Sequence, residues 1–399
     1  MRVLWISSHL PYPPISGGRL REYELLRRLA RYDDVHVVAV SEAADDTSHL
    51  EAFRRTCPTD LFPAEPDRDE PCHLVATHAS APATAAVRRL LPRADVVHVE
   101  GFHLMQHVPA SSLVPITLID QNIEYQLWEQ RLALGQAGTQ LDQQRILQEV
   151  AACRSAELKA WRRATLCATV TPEDAATMRA AAPDIDPVVI PDGCDHLAGA
   201  PIGVAPRPLR PTAAAPCLIF VANFAYEPNV DAAWLLLDGV LPRVRGTFPG
   251  ATLDLVGNAP CPDLVARADA VGGVRVTGRV PDVQPFLCDA DVAVCPLRVG
   301  GGIKVKVIEA LVTGLPVVTT PVGAQGLPVG LGVPTVVAPD PRALAKAVID
   351  VLSDPNARAH SQDAASGVTR ILPSWDDAAS RLRQAYEVAQ QRAVSSDAG

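Results

Sequence analysis

The stretch Val299-Gly300-Gly301-Gly302-Ile303-Lys304-Val305-Lys306-Val307-Ile308-Glu309-Ala310-Leu311 gathers glycines, lysines and a carboxylate into one short segment. It follows a strand-like apolar run, Asp291-Val292-Ala293-Val294-Cys295-Pro296-Leu297, and precedes Gly314 and a second such run, Leu315-Pro316-Val317-Val318-Thr319-Thr320. A glycine turn that opens a helix leaves backbone N–H groups bare at the positive end of the helix dipole, which attracts anions. Lysines beside it suit a diphosphate. A carboxylate one turn further in can accept hydrogen bonds from sugar hydroxyls. These residue types together point to a nucleoside diphosphate carrying a ribose. The same glycines would also serve a plain strand-to-helix turn, so the elements around them must decide.

Those elements alternate. Val3–Ser7, Val35–Val40, Val96–Val99 and Ile116–Ile119 read as buried strands, with a helical pattern at Arg19–Arg31 between the first two. The alternation resumes at Leu166–Val170 and Val188–Ile190 and then stops at Gly199–Pro216, a segment rich in Pro, Ala and Gly with the signature of a linker. A second series follows at Cys217–Ala222, Ala251–Val256, Val274–Thr277, Asp291–Cys295, Pro316–Thr319 and Thr335–Val337. Continuous apolar strands separated by helices predict parallel sheets covered on both faces. The expected architecture is α/β, two doubly wound Rossmann-like domains: residues 1–198, a linker at 199–216, and residues 217–372. Ligands of such domains sit at the carboxyl ends of the strands, and the expected site is the cleft between the two. Asp376–Arg392 reads as a final amphipathic helix.

Composition excludes several classes. The chain has 399 residues, enough for two domains, and a net charge of −9, which argues against a nucleic-acid or anionic-membrane binder. No apolar run approaches the roughly 20 residues of a membrane span, and Met1-Arg2-Val3-Leu4-Trp5-Ile6 reads as a first strand rather than a leader. The nine cysteines are scattered, with no CxxC or Cys/His cluster, so neither a disulfide frame nor a zinc site is expected, and a reducing cytoplasm is the simple inference. Arg19, Arg21, Arg27, Arg28 and Arg31 form a basic helix face, read as solvated surface or, alternatively, as peripheral contact with anionic lipid or a phosphorylated acceptor. His9, His98, His103, Asn122 and Glu124 stand near strand ends, where a structural role and a ligand contact are both open. Ser/His/Asp nucleophile motifs are absent.

At this point the order of motifs matters. Gly17-Gly18 follow Pro11-Tyr12-Pro13-Pro14; then come Asp120-Gln121-Asn122-Ile123-Glu124, Val170-Thr171-Pro172-Glu173-Asp174 and Ile190-Pro191-Asp192-Gly193-Cys194-Asp195. After the linker stand Asn223, Pro228-Asn229-Val230-Asp231, Leu255-Val256-Gly257, Val276-Thr277-Gly278-Arg279-Val280 and the Gly300–Pro316 block. In this order and spacing, over nearly its whole length, the chain resembles the retaining glycosyltransferases of family 4 (glycosyltransferase group 1), which have the GT-B fold.

The resemblance implies a sugar donor activated as a UDP or GDP sugar, transfer to an acceptor hydroxyl with retention, and no cofactor or metal. The acceptor is implied to be a small molecule, a lipid-linked molecule or a glycan. Glu309 matches the glutamate that takes the ribose hydroxyls, and backbone at Arg279 and Val280 would meet the base. Gly300, Gly301, Gly302, Ile303, Lys304 and Lys306 lie by the diphosphate, with Lys304 expected inside the first helical turn. Gly17 and Gly18 form the first domain's glycine loop, leading into the Arg19–Arg31 helix, and the final helix is implied to cross back to the first domain. The chain departs from the pattern where many relatives carry a second glutamate (here Gly301), an Arg and a Lys (here Asn223 and Pro228) and a histidine (here Gln121). Positive charge for the leaving diphosphate is then expected from Lys304, Arg298 or Arg19, and the catalytic candidates are Lys304, Gln121 and Glu100. A non-catalytic nucleotide-sugar-binding partner, and a nucleotide-sugar epimerase or phosphorylase of the same fold, are the alternatives.

Overall fold

The structure, a computed structural model, describes residues 1–41, 46–135, 140–194, 215–327 and 333–397. The predicted linker therefore lies outside the described residues except for 215 and 216. The chain divides into two compact units, Met1–Gly193 with Ser374–Gly399, and Cys194–Pro373.

The first unit is built on seven parallel strands: β1 (Arg2–Ser7), β2 (Asp34–Ser41), β3 (Thr59–Pro63), β4 (Val96–Glu100), β5 (Ile116–Asp120), β6 (Leu166–Thr169) and β7 (Val188–Val189), in the order β3-β2-β1-β4-β5-β6-β7. The strands are apolar because helices cover both faces. One face packs Leu4, Ile6, Val97, Val99 and Trp161, the other Trp5, Leu25, Leu26, Ile119 and Tyr386. The second face is closed by the Gly17–Leu29 and Trp375–Asp397 helices, so the C-terminal helix belongs to the first unit. Arg28 Nε donates to Asp376 Oδ1 at 2.6 Å, Arg383 Nε to Asp33 Oδ2 at 2.9 Å, and Tyr386 Oη bonds His98 Nδ1 at 2.9 Å.

The second unit carries six parallel strands, β8 (Cys217–Val221), β9 (Thr252–Val256), β10 (Val274–Val276), β11 (Val292–Cys295), β12 (Val317–Thr319) and β13 (Thr335–Val336), in the order β10-β9-β8-β11-β12-β13. In both sheets the strand order reverses beside the first strand of the unit: between β1 and β4, and between β8 and β11. Helices on either side of such a point diverge and leave a crevice at the carboxyl ends of the strands.

Two local expectations are corrected. The first helix begins at Gly17, capped by Ser16, so Gly17 and Gly18 are its first turn rather than a loop ahead of it. The basic face is solvated only in part: Arg31 is exposed and Arg27 partly so, but Arg21 is 1% exposed and Arg28 5%. Arg21 Nη1 meets Asp192 Oδ1 at 2.5 Å, and Arg28 is held by Glu24 and Asp376.

Candidate functional site

Because every pair of strands in the second sheet is parallel, the segments after β8, β10 and β11 leave by the same edge. Asn223 follows β8, Arg279 and Val280 follow β10, and Arg298, Gly300, Gly301, Gly302, Ile303 and Lys304 follow β11. The sheet thus brings these residues to its carboxyl edge, Asn223 and the Arg298–Lys304 segment at the β8/β11 reversal and Arg279 and Val280 at the outer strand β10, whereas Gly17 and Gly18 belong to the first unit. Gly257, after β9, has φ +145°, and a Cβ there would stand 1.8 Å from Ala222 O, so only glycine lets these two segments approach.

The glycine segment is a loop, not the first turn of a helix. The helix runs Val305–Val312 and Lys304 is its N-cap, with extended backbone. The expectation that Lys304 lies inside the first turn is thereby corrected. Gly302 explains the difference: its φ of +62° is left-handed and incompatible with a continuing α-helix. The Lys304 side chain folds back, Nζ donating to Gly301 O at 2.8 Å and Gly302 O at 2.7 Å. Those bonds fix both the loop and the position of the ammonium. Thr320 Oγ1 donates to Leu297 O, tying the loop to the end of β12.

Lys306 and Glu309 are one turn apart on that helix and share a face. Lys306 Nζ donates to Asn229 Oδ1 at 2.5 Å and sits 5.0 Å from the centre of the Phe220 ring. Burial lowers its pKa. Burial pushes the Glu309 carboxyl up to about 7, against the opposing pull of Lys306. No hydrogen bond or ion pair to the Glu309 carboxylate is found among the described residues. Arg298, by contrast, is held by both oxygens of Asp231, and Asn223 Oδ1 caps Ala225 N at 3.2 Å while its carbonyl accepts from Asn229 Nδ2 at 2.7 Å. Arg279 is exposed, after a Gly278 of φ +65°.

In the first unit the corresponding edge holds Glu100 and Gln121. Glu100 is 4% exposed; Oε2 meets His98 Nε2 at 2.7 Å and Oε1 accepts from Gln121 Nε2 at 2.8 Å. Its charge is balanced by Arg21, whose Nε lies 3.6 Å away, and its pKa is lowered overall although burial opposes this. Gln121 Oε1 is the atom that a Cβ on Gly18 would meet first, at 3.1 Å. His98 is fully buried, stacked on Trp5 at 3.5 Å, so it is a core residue and not a ligand contact. Arg19 is bound to Asp46 through Nη1 at 2.7 Å and Nη2 at 3.2 Å, which occupies the cation expected to serve a phosphate. His9 Nε2 lies 2.8 Å from Glu22 Oε1. Asn122 Nδ2 donates to Glu124 Oε1 at 3.2 Å. Sequence reasoning missed Asn229 as the partner of Lys306, although its place beside the quoted Pro228 offered the signal.

Residues 215–354 match the family model described as glycosyl transferases group 1. Glycogen synthase of Mycobacterium tuberculosis is 32% identical over 191 residues, covering 46% of this chain and 45% of that protein, so the chain spans under half the length of the curated relatives it matches. Among solved structures, sucrose-phosphate synthase from Thermosynechococcus elongatus superposes with a TM-score of 0.69 at 15% identity, over 97% of this chain and 98% of the other. Anabaena HepE, solved in complex with UDP and glucose, gives 0.68 at 14% identity, over 96% and 98%. Among the described residues no helix is long and apolar enough to cross a membrane. The chain has the GT-B fold, and its residues 215–354 form a glycosyl transferases group 1 domain.

Proposed function

We propose that the protein is a retaining glycosyltransferase that moves a sugar from a UDP or GDP sugar to an acceptor hydroxyl. The observation that carries this reading is the juxtaposition, at the β8/β11 reversal, of a glycine loop pinned by the Lys304 ammonium with a Glu309 carboxyl raised to about 7. A half-buried carboxylate without a protein donor is suited to ribose hydroxyls, and the loop beside it is suited to phosphate. The UDP, glucose and UDP-glucose complexes of HepE support the same ligand class.

In this reading the diphosphate lies on Gly300–Lys304, the ribose on Glu309, and the base against the backbone of Arg279 and Val280. The bond between the anomeric carbon and the phosphate oxygen breaks, the acceptor oxygen bonds that carbon on the same face, and the acceptor proton passes to the departing phosphate. Lys304 stabilises the negative charge that grows on the diphosphate; Arg298 and Arg19, each bound to a carboxylate, contribute less. Gln121, oriented through its bond to Glu100, is the polar group offered to the reacting sugar or acceptor, and Glu100 is a positioning residue. A small molecule, a lipid-linked molecule or a glycan remains the acceptor class.

The test is incubation with UDP and GDP sugars and acceptor panels, following nucleotide release and the product's anomeric configuration by NMR. Donor consumption with retained configuration is expected. Tight nucleotide binding without turnover would point instead to a non-catalytic binding partner, and inversion would overturn the stereochemical assignment.

A further inference from the structure

Cys72 and Cys153 lie far apart in sequence, yet in the first unit their sulfurs and a Glu149 oxygen all stand within 4.8 Å of one another. Cys72 immediately precedes the His73–Thr77 helix, whereas Glu149 and Cys153 are four residues apart on the Gln140–Arg163 helix and so present one face. Both cysteines are fully buried, and Glu149 is half-buried at the rim. The Glu149 carboxylate is oriented: His73 N–H donates to Oε1 at 2.8 Å. That leaves Oε2 for another partner, the arrangement in which a backbone donor aims a metal-binding carboxylate. The loop carrying Cys72 is itself fixed, with Cys72 N–H donating to Glu70 Oε1 at 3.1 Å.

We infer that Cys72, Cys153 and Glu149 form a binding site for a thiophilic divalent cation of the zinc class, clamping the Cys72–Thr77 segment onto the Gln140–Arg163 helix. Two thiolates and one carboxylate are a borderline-soft donor set matched to Zn²⁺, not to the all-oxygen shells of Mg²⁺ or Ca²⁺. Zn–S bonds of about 2.3 Å and Zn–O bonds of about 2.1 Å put tetrahedral donors roughly 3.5–3.8 Å apart, and the donors here already lie within 4.8 Å of one another. Water completes the fourth position at the Glu149 rim. On binding, both thiol protons leave to solvent, and the cation offsets the charge of the two thiolates and the Glu149 carboxylate. This site is separate from the donor residues and does not depend on the proposed sugar transfer.

The test uses the full chain, reduced and stripped of metal, titrated with Co²⁺ and then Zn²⁺. One equivalent of Co²⁺ with a thiolate-to-cobalt charge-transfer band, displaced by Zn²⁺, is expected in the wild type. Cys153→Ser should abolish the band, Glu149→Gln should weaken Zn²⁺ affinity by about tenfold or more, and serine at the half-buried Cys217, Cys261 and Cys288 should leave it intact. Should a core variant fail to fold, the wild type alone decides: Zn²⁺ must protect Cys72 and Cys153 from alkylation mapped by mass spectrometry. The proposal is overturned by the absence of a band in the wild type. It is also overturned by a band that survives Cys153→Ser, or by a Cys72–Cys153 disulfide forming in air while the reduced protein takes up no metal.

Discussion

The carboxyl edges of the two sheets carry similar side chains in opposite conditions. In the first unit, Arg21, Glu100 and Asp192 are nearly out of solvent with Arg21 set against both carboxylates, His98 hydrogen-bonds Glu100, and Arg19 is matched to Asp46. In the second unit, Lys306 donates to the amide oxygen of Asn229 and lies over the Phe220 ring, and burial raises the Glu309 carboxyl to about 7. The first arrangement is closed in charge, although Arg21 Nε and Nη2 have no hydrogen-bond partner among the described residues, and Glu100 holds Gln121 in place. The second is open, because a carboxyl raised by burial without a donor is relieved by whatever brings donors to it. The contrast sets an edge of paired, buried charges against one whose carboxyl has no protein donor among the described residues.

The largest effect belongs to the closed side. Arg21→Ala leaves two buried carboxylates uncompensated and should cost about 3–5 kcal/mol of stability, read by urea denaturation of the reduced protein. A loss below about 1 kcal/mol would mean that water reaches the network and that the edge is open after all. On the second edge, Lys304→Ala should lower turnover roughly 10²–10³-fold, the size seen for one preorganised charge-stabilising donor, while Arg298→Ala, whose charge is spent on Asp231, should cost less. Steady-state rates decide; equal losses would erase the distinction between pinned and paired cations.

The pH dependence sharpens the comparison further. Glu309 has a folded value of about 7, above its ordinary 4.5, so the folded chain holds that proton more tightly than the unfolded chain. Stability therefore falls as pH rises from about 4.5 to 7 through this group. Glu309→Gln removes that loss and should raise the melting temperature at pH 8 more than at pH 5. If ribose binds the ionised carboxylate, wild-type affinity for UDP or GDP should improve with pH up to about 7 and then level off, relative to the Gln variant at each pH, which cancels the titration of the nucleotide. A flat ratio would remove Glu309 from the ribose site.

Much of this was legible in the strands. Val3–Ser7, Val96–Val99, Cys217–Ala222 and Asp291–Cys295 are continuous apolar runs, and burial on both faces demands that pattern. The Thr59–Pro63 strand was missed because it is short, lies at the sheet edge, and carries Asp60 and a proline. The place of Gly300–Ile303 between a strand and a helix was legible because strand, glycines and helix are consecutive in sequence, but the conformation of the loop was not: the left-handed turn at Gly302, which ejects Lys304 from the helix, leaves no mark beyond the glycine itself. The burial of Arg21 and Arg28 was illegible locally: Arg28 has a near partner in Glu24, but Asp192 and Asp376, which complete the pairing, are supplied by segments far along the chain. The Cys72–Cys153–Glu149 cluster was hidden for the same reason.

The central claim is that the donor nucleotide binds the open edge through Glu309. Calorimetric titration of UDP and GDP into the wild type, Glu309→Gln and Glu100→Gln tests it most directly. The account predicts that Glu309→Gln weakens the better nucleotide by at least about tenfold, as expected for lost charge-assisted bonds worth roughly 1.5–3 kcal/mol, while folded Glu100→Gln binds it almost as well as the wild type. An unchanged dissociation constant for Glu309→Gln, or equal losses in the two variants, would contradict it.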